Sequence, residues 1–210
     1  MRTLYLVLPL AAVAWSQQPA TDAALRQLTE GNRRYADVHL KHPHQDQQRR
    51  VELSTAQHPF AAILSCSDSR VPPEVVFDEG LGDLFVVRVA GNIVDDAVLG
   101  SLEYAAEHLH TPLIVVLGHT SCGAVAATAD GGEVHDHVRS LVEAIKPAVE
   151  AARKLPGDLK QNSVRTNVLQ SLKLLRESKP TLVRLEHKGE LRIIGAIYGL
   201  KTGTVEWLKD

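Results

Sequence analysis

Cysteine and aromatic residues are both scarce in this chain of 210 residues. Two cysteines exclude a scaffold of several disulfides and leave one bridge, two free thiols or two metal ligands. Aromatic residues make up 4% of the chain, so we expect an aliphatic core. A formal net charge of -2 gives no electrostatic reason to expect a nucleic acid or an anionic membrane as a partner. No G-x-G-x-x-G fingerprint follows the first predicted strand, which disfavours a dinucleotide site.

The remaining composition is that of a folded globular protein. Hydrophobic residues make up 44% of the chain and charged residues 23%, which argues against disorder. This length suffices for one α/β domain with a substantial core and is short for two domains.

The first twenty residues have the pattern of a secretory signal peptide. Arg2 is followed by an apolar run at 4–15 and then by small and polar residues. The run is short for a bilayer span. We therefore expect residues 1–20 to be cleaved and residues 21–210 to form the mature domain, in a periplasm or outside the cell and without membrane contact. The alternative is an uncleaved anchor or helix.

Apolar runs separated by helical patterns predict a mostly parallel sheet. Thr21 or Asp22 is expected to cap a first helix that ends near Gly31, followed by an exposed polar segment at 35–50. The strand–helix–strand order implies right-handed crossovers. We predict an α/β fold: a single domain with a mostly parallel central sheet of four to five strands flanked by helices, and an N-terminal helical arm. The predicted strands lie at 61–65, 84–89, 113–117, 191–198 and 204–208, and the later helices at 95–109, 124–129, 134–155 and 162–178.

Three metal-ligating residues follow two of these strands. Cys66 comes directly after the first strand, and His119 and Cys122 come directly after the third. Ligands bind at the carboxyl edge of open parallel sheets. Two sulfurs and one imidazole nitrogen suit zinc, and three protein ligands leave a fourth position open. A disulfide or two inert buried thiols remain alternatives.

Polar neighbours favour the metal interpretation, because a disulfide needs none of them. Asp68 and Arg70 follow Cys66 at alternate positions. Arg70 can form a two-pronged salt bridge with Asp68 and hold the carboxylate off the metal. An ordinary ion pair in a turn is the alternative. Backbone amides near Gly123, at a helix start, are candidates to stabilise a developing oxyanion.

Four segments around these residues form a specific pattern: CSDSRV at 66–71, GDLFVVR at 82–88, AGN at 90–92 and GHTSCGA at 118–124. In these segments the chain resembles the β-class carbonic anhydrases, and the similarity runs from about residue 25 to the C-terminus. The resemblance implies one Zn²⁺ per subunit held by Cys66, His119 and Cys122, with Asp68 and Arg70 as the catalytic dyad. It implies reversible hydration of carbon dioxide to bicarbonate and a proton by a zinc-bound hydroxide.

The same resemblance implies a substrate cleft shared between subunits of a homodimer or homotetramer. Gln57 falls where the family has a glutamine that reaches into the partner subunit's site. Phe85 and Tyr104 fall where the family has aromatics lining the cleft. From the residues alone, Phe85 is equally a core strand residue and Tyr104 a helix residue facing the sheet.

Two rival functions remain open at this point. A hydrolase of carbon disulfide or carbonyl sulfide could use the same residues, because an activated hydroxide attacks all three linear molecules. A zinc-stabilised binding protein without turnover is the second rival. The open coordination position beside Asp68 and Arg70 argues against the second one.

Overall fold

One five-stranded sheet forms the centre of the structure, a computed structural model that describes residues 18–209. The strand order is β2-β1-β3-β4-β5, and all neighbours are parallel except β4 and β5. The predicted α/β fold with its mostly parallel sheet is therefore confirmed. The strands are β1 (Ala61–Ser65), β2 (Leu84–Arg88), β3 (Leu113–His119), β4 (Arg192–Tyr198) and β5 (Val205–Trp207).

Helices precede the sheet and connect its strands. A 3-10 turn, Ala90–Asn92, follows β2. Among the described residues, no helix is long and apolar enough to cross a bilayer. The α-helices are α1 (Gln18–Ala36), α2 (Gln47–Glu52), α3 (Pro73–Val76), α4 (Asp96–Glu107), α5 (Gly123–Asp130), α6 (Val138–Ala152), α7 (Leu159–Arg176) and α8 (Thr181–His187).

Alternate residues of the central strands enter two different cores. Every residue of β1 and β3 is buried, as expected for strands covered on both faces. Ala62, Leu64 and Ile114 pack with α4, α7 and α8. Ile63 and Val115 face the other way, toward α1 and α3. The period of two along each strand thus divides one apolar run between both layers of helices.

The N-terminal helix is longer than predicted at both ends. It spans Gln18–Ala36, so Thr21 lies inside the helix rather than capping it. Gly31 also lies inside the helix. A Cβ at this position would come within 1.8 Å of the Phe77 carbonyl oxygen, so only a glycine fits there. The glycine permits close packing and does not mark the helix end. Of the predicted signal segment 1–20, residues 1–17 lie outside the described residues and residues 18–20 begin α1.

Other boundaries differ by a few residues. His119 is the last residue of β3 rather than the residue after it. The helix predicted from 134 begins at Val138, and the one predicted from 162 begins at Leu159, where Asp158 caps it. The sequence did not predict α2, α3 and α8, whose 6, 4 and 7 residues are too few to establish a helical period.

Buried acids fix the polar segment that follows α1. Asp78 accepts hydrogen bonds from the Arg34 side chain and from the backbone N–H of Lys41. His44 pairs with Asp83 at 2.7 Å. The segment predicted as an exposed arm is therefore tied to the end of the loop before β2.

Glu79 is a buried acid of this region whose carboxylate has few hydrogen-bond partners. Its side chain is 2% exposed, and Gln27 donates to one carboxylate oxygen at 3.0 Å. The other oxygen has no hydrogen-bond partner within the described chain. Burial, together with the neighbouring carboxylates of Asp83 and Asp78, raises the pKa of Glu79 to about 7, against the opposing effects of Gln27 and Arg34.

The natural chain should become less stable as pH rises, because Glu79 resists ionisation in the folded state. We predict that Glu79→Gln abolishes this decrease in folding stability. The unfolded chain ionises near 4.5 and the folded chain near 7, so folding stability decreases between these pH values. From pH 4.5 to 8, the unfolding free energy of the variant should improve relative to the natural chain by up to about 3 kcal/mol. Urea denaturation at both pH values measures this change. The exposed Glu143→Gln serves as control, and identical pH slopes for Glu79→Gln and the natural chain would contradict the prediction.

Candidate metal centre

The structure brings the three predicted ligands together at the carboxyl edge of the sheet. Cys66 follows β1, and His119 ends β3, the strand beside it. Cys122 is the N-cap residue of α5. Their donor atoms all lie within 4.8 Å of one another, and all three residues are buried. The parallel pairing of β1 with β3 therefore produces a convergence of side chains that are 56 residues apart in the chain.

The two sulfurs are placed for a shared ion and not for a bond between them. Cys66 Sγ and Cys122 Sγ are 4.0 Å apart, and both thiols are free. A disulfide requires about 2.05 Å between the sulfurs. Two thiolates on one tetrahedral zinc, each at about 2.3 Å, are separated by about 3.8 Å. This spacing excludes the disulfide alternative for this structure and fits a metal.

His119 contributes a nitrogen that has no other partner. Its Nδ1 lies 3.0 Å from the Thr120 carbonyl oxygen, which assigns the ring proton to Nδ1. Its Nε2 is buried and has no hydrogen-bond partner within the described residues. A buried unpaired acceptor is costly, and metal-ligating histidines commonly use the second ring nitrogen in this way. The histidine thus fits a metal ligand better than a core histidine.

The two buried thiols do not readily ionise together unless a cation is bound between them. The hydrogen bond from Cys122 lowers the pKa of Cys66 to about 4, with further support from His119 and the Gly91 amide against the effect of burial. The same hydrogen bond and burial raise the pKa of Cys122. The cluster alone therefore accepts one negative charge and resists a second. A divalent cation would stabilise both thiolates.

Asp68 lies beside this cluster and is held by Arg70 as the sequence predicted. Arg70 Nε and Nη2 donate to the two carboxylate oxygens at 2.9 and 2.7 Å. These hydrogen bonds hold the pKa of Asp68 well below its usual range. Asp68 Oδ2 is 3.8 Å from His119 Nε2. The carboxylate is therefore charged, fixed in direction and adjacent to the point on which the ligands converge.

Gly123 joins the same centre, because it is the first residue of α5 and follows Cys122 directly. The opening amides of an α-helix have no partner within the helix and favour negative charge. A Cβ at Gly123 would meet no atom within 4 Å, so the residue leaves open space beside the cluster.

Gln57, Phe85 and Tyr104 are not brought to the ligands of their own chain. Phe85 pairs with Ala62, four residues before Cys66, which corresponds to about 13 Å along the strand. The rings of Phe85 and Tyr104 are 6.2 Å apart, and Gln57 and Tyr104 line one surface cleft. These three residues, here named the amino-edge patch, lie at the opposite edge of the sheet. Tyr104 meets the sheet at the ring of Phe85 and is at the same time 46% exposed.

Two contacts on the Cys66 segment were missed by sequence reasoning. Arg88 donates to the carbonyl oxygens of Cys66 and Asp68 at 3.0 and 2.6 Å. The Gly91 amide donates to Cys66 Sγ at 3.2 Å. The AGN tripeptide was the available signal, since a glycine after a strand often marks a close backbone approach.

Comparison with known proteins agrees with this centre. The family model described as carbonic anhydrase matches residues 61–205. The chain belongs to the β-class carbonic anhydrases. A carbonic anhydrase of Mycolicibacterium smegmatis is 43% identical over 188 residues, which cover 88% of this chain and 91% of the relative. As a member of the family, the protein is a lyase, a carbonate dehydratase.

Solved β-carbonic anhydrases share its fold. The Coccomyxa enzyme, solved in complex with acetazolamide, superposes with a TM-score of 0.70 at 27% identity, covering 88% of this chain and 86% of that one. One of two tetrameric enzymes from Sordaria macrospora superposes with a TM-score of 0.69 at 26% identity, covering 77% and 86%. The parallel sheet and its flanking helices are thus those of the carbonic anhydrase family.

Proposed function

We propose that this carbonic anhydrase hydrates carbon dioxide reversibly with one zinc ion per chain, held by Cys66, His119 and Cys122. The observation that carries the proposal is the buried His119, which has a ring nitrogen within 4.8 Å of two thiol sulfurs and whose Nε2 has no hydrogen-bond partner among residues 18–209. Two sulfurs and one nitrogen suit zinc, and three protein ligands are typical of a site that keeps one position for water or substrate. Family membership supports the reaction.

Zinc supplies Lewis acidity that makes a water molecule nucleophilic near neutral pH. Side chains beside the metal would then determine the direction from which the water oxygen attacks. Asp68 stays ionised beside Arg70 and can accept a hydrogen bond from the attacking oxygen. That hydrogen bond orients the remaining lone pair toward the carbon of carbon dioxide. Arg70 acts by holding Asp68 in place and in its charged form.

We propose that Gly123 helps to stabilise the substrate oxygen that becomes negatively charged during hydration. The Gly123 N–H is the first amide of α5 and lies next to Cys122, while the amides of Ala124 and Val125 interact with the Cys122 sulfur. Negative charge is favoured at a helix N-terminus. The lack of a side chain at Gly123 leaves room for a substrate oxygen to approach the Gly123 amide.

The assembly is proposed to be a homodimer or homotetramer in which chains complete one another's sites. Within one chain, the amino-edge patch lies at the edge of the sheet opposite the ligand cluster. Its Tyr104 is 46% exposed beside the ring of Phe85 and shares a surface cleft with Gln57, so the patch is open to contact from a second chain. A second copy can bring its patch to the open side of the cluster. The tetrameric Sordaria enzymes support such an assembly.

Export to a periplasm or to the outside of the cell is proposed from residues 1–20 alone. The positive start, the short apolar run and the small residues after it support a cleaved signal peptide. A bound metal would protect both thiols from oxidation in such a compartment.

Two variants test the zinc site and the role of Asp68 separately. We expect Asp68→Asn to keep one zinc per chain but to lower the hydration rate about 10²-fold or more. The neutral amide cannot replace the charged carboxylate as the hydrogen-bond acceptor that orients the attacking oxygen. Cys122→Ser should lose both zinc and activity, because an alcohol is a poor zinc ligand. Metal analysis and stopped-flow carbon dioxide hydration measure the two properties.

Asp37→Asn is the matched control, since Asp37 is an exposed aspartate outside the cluster. It should keep both zinc and rate. Full activity of Asp68→Asn would contradict the orienting role, and zinc retained at one equivalent in Cys122→Ser would contradict the ligand set.

Mixing two inactive variants tests whether sites are shared between chains. Asp68→Asn damages the ligand side, and Tyr104→Ala damages the amino-edge patch. If the patch serves another chain, each mixed pair contains one intact site, and random reassociation should restore about a quarter of the natural activity. Unmixed variants, denatured and refolded in the same way, serve as controls. No recovery in mixtures shown to contain hybrids would refute the shared site.

Export is tested on the protein produced with its full N-terminus. We expect the mature protein in the periplasmic fraction or the medium to lack about its first twenty residues, as intact mass shows. A full-length mass confined to the cytoplasmic fraction would contradict the proposal.

A further inference from the structure

The backbone donor on Cys66 comes from an unusual piece of chain. Gly91, in the 3-10 turn after β2, donates its N–H to Cys66 Sγ at 3.2 Å. Gly91 has φ +72 and the next residue, Asn92, has φ +43. Two consecutive left-handed residues are uncommon, and the second is not a glycine. Contacts from elsewhere in the fold must therefore stabilise the turn.

Helix α7 supplies these contacts with two buried polar side chains. Asn167 Nδ2 donates to the Gly91 carbonyl oxygen at 2.7 Å. Ser171, one helical turn further on, donates to the Asn92 carbonyl oxygen at 3.0 Å. Both side chains belong to residues that are 2% exposed. The turn behind Cys66 is therefore held by residues 76 and 79 positions away from it in sequence.

The two contacts are not equivalent with respect to the metal ligand. Asn167 binds the carbonyl group of Gly91, the residue whose N–H reaches the sulfur. This bond and the N–H···S bond together fix the two dihedral angles of Gly91. Ser171 binds one residue further on, at Asn92, which makes no hydrogen bond to Cys66 in the described structure.

Packing alone does not account for an amide at this position. The neighbouring buried positions of α7 are mostly apolar, including Val164, Val168 and Leu172. A buried amide carries a desolvation cost that an apolar side chain of similar volume avoids. The gain that offsets this cost is the bond to Gly91.

We propose that Asn167 is a positioning residue for the metal centre, acting through Gly91 on the sulfur of Cys66. By fixing the Gly91 N–H toward the sulfur, it limits the negative charge that the thiolate places on a bound metal and fixes the direction of that ligand. Partners of this kind orient ligands and tune the metal. The inference rests on the proposed function, because it assumes a metal at this site.

Cobalt(II) is the probe for this role, because it occupies zinc-type sites and, unlike zinc, gives absorption bands that report on its ligands. Asn167→Leu removes the donor and keeps the number and branching of the side-chain heavy atoms. We expect the sulfur-to-cobalt charge-transfer band to move to lower energy, because a thiolate without the Gly91 hydrogen bond is a better electron donor. Cobalt affinity should fall about 10- to 100-fold.

Ser171→Ala is the matched control, since it removes a buried hydrogen bond from the same helix to the same turn. It should leave both the band and the affinity unchanged. An equal change in both variants would reduce Asn167 to a structural role, and an unchanged band and affinity in Asn167→Leu would overturn the proposal. If the natural chain shows no sulfur-to-cobalt band at all, the proposed metal site itself fails.

A measurement on the natural chain keeps the proposal testable if Asn167→Leu does not fold. In protein loaded with ¹¹³Cd and labelled with ¹⁵N, the Gly91 amide proton should show a coupling to cadmium through the hydrogen bond to Cys66 Sγ. The same proton should exchange slowly with solvent, because Asn167 holds the buried turn closed. A Gly91 amide without the coupling, or one in rapid exchange, would overturn the proposal.

Discussion

A cluster of two sulfurs and one imidazole, buried with too little positive charge, is the constraint on which the rest of the carboxyl edge depends. Cys66 and Cys122 cannot both be charged at low cost unless a cation joins them. His119 Nε2 cannot remain without a partner at low cost either. A single divalent ion satisfies all three groups. The nearby Asp68–Arg70 pair then has a functional context that an isolated turn would lack.

The sheet delivers these groups because its strands are parallel and covered on both faces. The carboxyl ends of β1 and β3 lie side by side, so residues that follow or end the two strands become neighbours. Helix α7 contributes in two ways at once. Its apolar residues complete the core on one face of the sheet, and Asn167 reaches the turn that contacts Cys66. Stability of the core and geometry of the centre are therefore coupled through one helix.

The opposite edge of the sheet carries groups that take no part in the ligand cluster. The amino-edge patch and the acids around Glu79 both lie before or at the start of strands, away from the ligand cluster. The acids fasten the segment after α1 to the body of the domain. The exposed aromatic side of the patch instead remains available to another chain. One edge thus carries the ligand cluster, and the other carries the buried acids and the exposed patch.

The sequence by itself determined the fold class, the strands and the ligand set. β1 was predicted to the residue, because a short apolar run between turns has few alternatives. Spacing predicted the Asp68–Arg70 pair, because partners two residues apart meet by local geometry. Only the tertiary structure decided that Gly31 lies inside a helix and that Asn167 and Gly91 act together. These outcomes depend on contacts with distant residues, and local patterns carry no information about which distant surface a residue will meet.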